Sequence, residues 1–98
     1  MTIKIDKKEN TLTLAVEGRL DTTTSPELEN TINENIADVT KLVFDFSNLE
    51  YISSSGLRVL LKAQKKMTLV GEMIVKGANE LVMEVFEVTG FSDILTIQ

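Results

Sequence analysis

The 98-residue chain contains no cysteine and no histidine. Without cysteine it has no disulfides and no thiolate metal sites. Without histidine it loses the Ser-His-Asp and Cys-His arrangements of nucleophilic catalysis, and the usual zinc ligand with them. Positive charge is scarce: 10 Lys and Arg stand against 15 Asp and Glu, a formal net charge of -5. Nucleic-acid binding draws most of its non-specific affinity from cations on phosphates, so a direct nucleic-acid partner is poorly served. A protein partner with a basic surface suits the chain better. No apolar stretch of signal-peptide length follows Met1, and nothing approaches the roughly 20 apolar residues of a membrane span. A Gly-rich phosphate loop of the Walker type is missing too. A soluble cytoplasmic protein is expected.

Apolar residues make up 43% and charged residues 26%, which is ordinary for a globular protein and leaves enough for a core. A chain of this length can bury roughly 60–70% of its unfolded surface. One domain over residues 1–98 is expected.

Hydrophobic periodicity orders the chain. Ile3 and Ile5 alternate with Lys4 and Asp6, then Leu12, Leu14 and Val16 alternate with Thr11, Thr13 and Glu17. Two period-two runs joined by the polar residues 7–10 predict an antiparallel hairpin, its second strand ending at Gly18. Residues 21–26 form a loop leading into a helix. Pro26 suits the first turn, and Ser25 or Thr24 can cap it, Thr24 standing three residues before Glu27 as in a capping box. Leu28, Ile32 and Ile36 recur as one apolar stripe. Residues 42–46, Leu-Val-Phe-Asp-Phe, read as a strand covered on both faces.

A polar connection at 47–50 leads through Tyr51 and Ile52 to Ser53, Ser54, Ser55 and Gly56. A helical pattern with Leu57, Leu60 and Leu61 follows, over about residues 56–67. Arg58 and Lys62 face away from that stripe, and Lys62, Lys65 and Lys66 form a solvated face near its carboxyl end. Met73, Ile74 and Val75 read as a buried strand. Asn79 is a candidate cap for a helix carrying Val82, Val85 and Phe86, Gly90 is its stop, and residues 93–97 suit a short last strand. Met67, Met73 and Met83 read as core filler. The order β-β-α-β-α-β-α-β predicts an α/β domain with helices packed on a mixed sheet and right-handed crossovers.

Three serines sit where a loop becomes a helix. The first N–H groups of a helix lack intrahelical partners, and the macrodipole adds partial positive charge. A serine there can be a plain cap. A phosphate there is also favoured by the free N–H groups. One cap needs one hydroxyl, and three in a row exceed that need. Gly56 offers no side chain to obstruct a partner. Asp45 is expected to order the serine loop by accepting backbone N–H groups.

These residues carry a resemblance. Asp45-x-Ser47, a short spacer, Ile52 and then Ser-Ser-Gly-Leu resembles the signature of the STAS domain, and more narrowly of the bacterial anti-sigma factor antagonists. Gly18-Arg19-Leu20-Asp21, with the Thr/Ser turn and Pro26-Glu27-Leu28, resembles the family's second strand and the start of its first helix. Residues 81–86 with Gly90 and Phe91 resemble its late helix and the turn after it, so the resemblance spans roughly residues 2–97.

The resemblance implies a binding module controlled by phosphorylation. Unphosphorylated protein would bind an anti-sigma factor that is also a serine kinase, freeing a sigma factor. Phosphorylation would end the interaction, and a serine phosphatase would restore it. The family's phosphorylated serine maps to Ser54, with Ser53 and Ser55 as competitors, since the family usually carries aspartate where this chain has Ser53. The partner surface would comprise Asp21, Thr22, Thr23, Ser53, Ser54, Ser55, Gly56 and Arg58. The chain would be a substrate rather than an enzyme and would hold no cofactor; nucleotide and magnesium would belong to the kinase. Stand-alone STAS domains also serve, unphosphorylated, in lipid-transport assemblies and stress-signalling complexes, which is the alternative role. An aspartyl-phosphate receiver is disfavoured, because Asp45 lacks the acidic cluster such a site needs: Asp6 and Glu9 belong to the hairpin turn.

Overall fold

The computed structural model describes all residues from Met1 to Gln98. The opening hairpin forms as its alternation predicts. β1 (Thr2–Lys8) pairs antiparallel with β2 (Thr11–Leu20), Ile3 opposite Val16 and Ile5 opposite Leu14. β2 does not end at Gly18. The glycine takes φ +95°, a conformation other residues resist, and the register shifts between Gly18 and Arg19. This bulge lets one strand serve two neighbours. Residues 11–15 pair parallel with β3 (Lys41–Asp45), and residues 18–20 pair parallel with β4 (Leu49–Ile52). β5 (Glu72–Lys76) pairs parallel with β3, so the sheet runs β1-β2-β3-β5 with β4 beside the far half of β2.

The fold is thus the expected α/β class with a mixed sheet, and its element order departs from the expected one in two places. The connection at 47–50 contains the start of a strand, β4. The expected last strand shrinks to a short 3₁₀ turn at Phe91–Asp93 and one bridge between Ile97 and Val75.

Three helices cover the sheet: α1 (Ser25–Asn35), α2 (Ser54–Val70) and α3 (Glu80–Thr89). Each sends its apolar stripe into one 22-residue core: Leu28 and Ile32 from α1, Leu57, Leu60, Ala63 and Met67 from α2, Val82 and Phe86 from α3. They meet Leu12, Leu14, Leu42, Phe44 and Val75, which all face the same way. Val43 and Ile74 point to the opposite face and lie outside that core. The strand at 42–46 is therefore covered by helices on one face only. Its continuous apolar run reflects its central place between β2 and β5, where Val43 is buried although it lies outside the helix-covered core.

α2 is longer than its apolar spacing suggested, starting at Ser54 and ending at Val70. Lys62 and Lys66 consequently lie mid-helix and reach across to α1, at 3.0 Å from Glu29 and 2.9 Å from Asn33. All three lysines are exposed, as the solvated-face reading expects, and two of them also bond across to α1.

Candidate functional site

The parallel pairing of β2 with β4 brings two loops together at one end of the sheet. Arg19 stands opposite Tyr51 and Leu20 opposite Ile52, so the residues that follow each strand emerge side by side. The Ser53 N–H donates to the Leu20 carbonyl at 2.9 Å, which ties the serine segment to the end of β2. α2 then begins, its first full-turn bond running from the Leu57 N–H to the Ser53 carbonyl at 3.0 Å.

The three serines have three different surroundings. Ser53 occupies the cap position with extended backbone, φ -99° and ψ 177°, yet its hydroxyl makes no cap bond. Its Oγ is enclosed and has no hydrogen-bond partner. Ser54, the first helical residue, is exposed. Ser55 is half-buried, with its Oγ 3.2 Å from Thr22 Oγ1, the two hydroxyls sharing one hydrogen bond. The N–H groups of Ser54, Ser55 and Gly56 find no acceptor in the chain, so this helix end keeps its unsatisfied donors and partial positive charge.

Gly56 is buried, which corrects its expected role. A Cβ at this position would sit 2.8 Å from both Ile52 Cγ1 and Leu20 Cγ. Glycine is required because α2 presses onto the ends of β2 and β4, not because a partner approaches there. Arg58 is exposed, one turn further along α2.

The neighbouring loop is built on Asp21. Its Oδ1 accepts the Thr23 N–H at 3.0 Å and the Thr24 N–H at 3.2 Å. The Thr24 N–H is the largest influence holding the Asp21 carboxyl below the usual carboxylate range; desolvation opposes it, and the Thr23 N–H, the Thr24 hydroxyl and Arg19 reinforce it. Thr24 Oγ1 accepts the Asp21 N–H at 2.9 Å, and its one proton goes to the Arg19 carbonyl at 2.8 Å, with Asp21 Oδ1 also in reach at 3.2 Å. The expected capping box is therefore absent: Thr24 bonds back towards β2, and Ser25 Oγ donates to the Asp21 carbonyl. Pro26 does lie in the first turn of α1, as expected. The result is a loop held by several internal hydrogen bonds that leaves Thr22 and Thr23 exposed beside Ser55. A cleft of about 220 Å³ separates α1 from α2, lined by Thr22, Ser25, Glu29, Ser55, Arg58 and Lys62.

Asp45 does not order the serine loop. Its Oδ1 accepts the Ser47 hydroxyl at 2.6 Å and the Ser47 N–H at 3.0 Å. Those two bonds, the hydroxyl first, hold its carboxyl below the usual range. The pair shapes the turn between β3 and β4, against Gly77.

Sequence reasoning missed Arg19 and Tyr51 at this end. The Arg19 guanidinium stacks 4.5 Å from the Tyr51 ring centre, and Arg19 Nε lies 3.8 Å from Asp21 Oδ2. Stacking of this kind contributes about 0.5–1 kcal/mol at exposed sites. The signal is the register of β4, a four-residue strand after a polar turn that hydrophobic periodicity does not mark.

The expected surface residues thus gather: Asp21, Thr22, Thr23, Ser54, Ser55 and Arg58 share one end of the molecule, with Ser53 and Gly56 beneath them as packing residues. Chemically, this end offers two exposed hydroxyls without partners, on Thr23 and Ser54, and three unpaired N–H groups at the start of α2.

The comparisons with known proteins agree with this architecture. The STAS domain family model matches residues 2–98. BtrV of Bordetella bronchiseptica, whose name proposes an anti-sigma factor antagonist, is 34% identical over 99% of this chain and 85% of its own length. The crystal structure of an anti-sigma factor antagonist from Mycobacterium paratuberculosis superposes with a TM-score of 0.88 at 25% identity, over 98% of this chain and 83% of that one. SpoIIAA of Bacillus, solved unphosphorylated and phosphorylated, gives TM-scores of 0.85 and 0.77 at 20% and 19% identity. Those matches cover 99% of this chain in both cases, and 88% and 91% of the SpoIIAA chains, a likeness of fold. The chain belongs to the STAS-domain family.

Proposed function

We propose that this protein is an anti-sigma factor antagonist whose docking end is switched by phosphorylation of Ser54. In the unmodified state the 21–24 loop and the start of α2 would present one surface to an anti-sigma factor that is also a serine kinase. Binding would free the sigma factor. Transfer of phosphate to Ser54 would end the interaction, and a phosphatase would reset it, all in the cytoplasm. The observation that carries this reading is the exposed Ser54 hydroxyl at an uncapped helix end, beside the loop ordered by Asp21. The names of the STAS relatives supply the class of partner.

Magnitudes support a local switch. A phosphoryl group adds about -1.5 to -2 charges at neutral pH. The helix dipole returns only about 0.3–1 kcal/mol, enough for the free protein to tolerate the phosphate without refolding. A thousandfold loss of affinity requires about 4 kcal/mol. A dianion enclosed in a contact surface without new cationic partners supplies that through desolvation and repulsion.

The test is a pull-down from the native host, followed by incubation of the recovered kinase with ATP and mass spectrometry of residues 53–55. The expected result is one phosphate on Ser54 of the wild type. Ser54→Ala is expected to keep the fold and the partner but take no phosphate. No phosphate anywhere on residues 53–55 would instead favour a STAS interaction subunit without a phosphorylation switch.

A further inference from the structure

Three adjacent serines pose a selection problem for any kinase, and their surroundings solve it unequally. Ser53 Oγ is enclosed, so a phosphoryl donor has no line to it while α2 is folded. Ser54 is exposed and its hydroxyl is free to turn. Ser55 Oγ shares a hydrogen bond with Thr22 Oγ1 at 3.2 Å, across 33 residues of sequence. We propose that Thr22 is a specificity-determining residue: by holding the Ser55 hydroxyl towards the 21–24 loop, it confines phosphoryl transfer to Ser54. This rests on the phosphorylation reading above.

The chemistry requires such a restraint. In the transfer, a serine Oγ forms a bond to the γ-phosphorus of ATP. The bond from that phosphorus to the bridging oxygen breaks, ADP leaves with its electron pair, and the hydroxyl proton passes to a base of the kinase. The attacking Oγ must lie in line with the leaving oxygen. Ser54 reaches that geometry by rotating about one bond. Ser55 must first break its link to Thr22 and turn out of the cleft between α1 and α2.

Charge does not explain the difference. Arg58 and Lys62 line that same cleft, and only Lys62 is engaged, with Glu29 at 3.0 Å. Arg58 stays free to accompany a phosphate on Ser55 beside the Lys62–Glu29 pair, so the restraint on Ser55 is assigned to the Thr22 hydrogen bond rather than to charge. Thr22 acts here through Ser55 and touches no reacting atom, which makes it a positioning residue.

The test compares wild type, Thr22→Val and Thr22→Ser as substrates for the kinase recovered with the wild-type protein, at limiting ATP, with fragmentation mass spectrometry assigning the phosphate. Wild type and Thr22→Ser are expected to carry it on Ser54. Thr22→Val is expected to raise the ratio of Ser55 to Ser54 phosphate about fivefold, equivalent to about 1 kcal/mol at 1.4 kcal/mol per factor of ten. The ratio is internal to each sample, so a uniform loss of kinase affinity leaves it unmoved, and Thr22→Ser controls for a change in docking at this loop. An unchanged ratio in Thr22→Val overturns this inference and leaves Ser54 phosphorylation standing. So does a ratio shifted equally by Thr22→Ser, which keeps the hydroxyl. A wild type that takes phosphate on Ser53, or on none of the three serines, removes the reading and the inference together.

Discussion

The amino ends of α2 and α3 start from nearly the same backbone: Ser53 at φ -99°, ψ 177° and Asn79 at φ -75°, ψ 175°. Asn79 completes its helix. Its Oδ1 accepts the Val82 N–H at 2.8 Å, and its Nδ2 donates to the Leu49 carbonyl at 3.0 Å. Ser53 turns its hydroxyl inward to no partner, and three N–H groups at the start of α2 stay unbonded. A side-chain cap contributes about 1 kcal/mol. One helix takes that contribution and locks; the other forgoes it and keeps its donors available. The finished end belongs to the fold, and the unfinished end is where a negatively charged group or a partner can be received.

Substitutions can break this contrast from either side. Asn79→Ala is expected to have the largest effect on stability, a loss of about 2 kcal/mol in denaturant unfolding, because both the cap and the Leu49 contact disappear. Gly56→Ala comes next. Its new methyl meets Ile52 and Leu20 at 2.8 Å, and overpacking outweighs the helix-propensity gain, for a net loss of about 1–2 kcal/mol. A Gly56→Ala protein as stable as wild type would return Gly56 to the role of an exposed clearance. Ser53→Ala is expected to change stability by less than about 0.5 kcal/mol, since no cap bond is lost. A loss of 1 kcal/mol or more, of the order of a cap, would erase the difference between the two helix ends.

The pH dependence gives a smaller effect. Asp21 and Asp45 both have folded pKa values below their ordinary ones. Their stabilisation is therefore present above the usual aspartate range and is lost as pH falls through the depressed folded values. Asp21→Asn is expected to flatten the acid limb of the unfolding midpoint against pH. An unchanged limb would mean that the 21–24 loop does not depend on the charge of Asp21.

Most of the fold was legible because its signals are periodic. Alternation in Leu12, Leu14 and Val16, and the four-residue spacing of Leu28 and Ile32, each mark one buried face. β4 was not legible: it has four residues, follows a polar turn, and buries only Leu49 and Ile52. That omission hid the stacking of Arg19 on Tyr51, which depends on strand register. The serine end was legible as a location but not in its division of labour. Nothing local distinguishes Ser53, Ser54 and Ser55. Their differences come from Leu20, Ile52 and Thr22, brought close only by the folded chain. Asp45 failed in the opposite sense, as its partner is Ser47, two residues away, rather than a distant loop.

The most direct test is calorimetric: titrate the partner recovered from the host with unmodified protein and with protein carrying phosphoserine at position 54, and compare the far-ultraviolet spectra of the two forms. The account predicts affinity falling about a thousandfold, or about 4 kcal/mol, with superimposable spectra. Equal affinity for the two forms would contradict it.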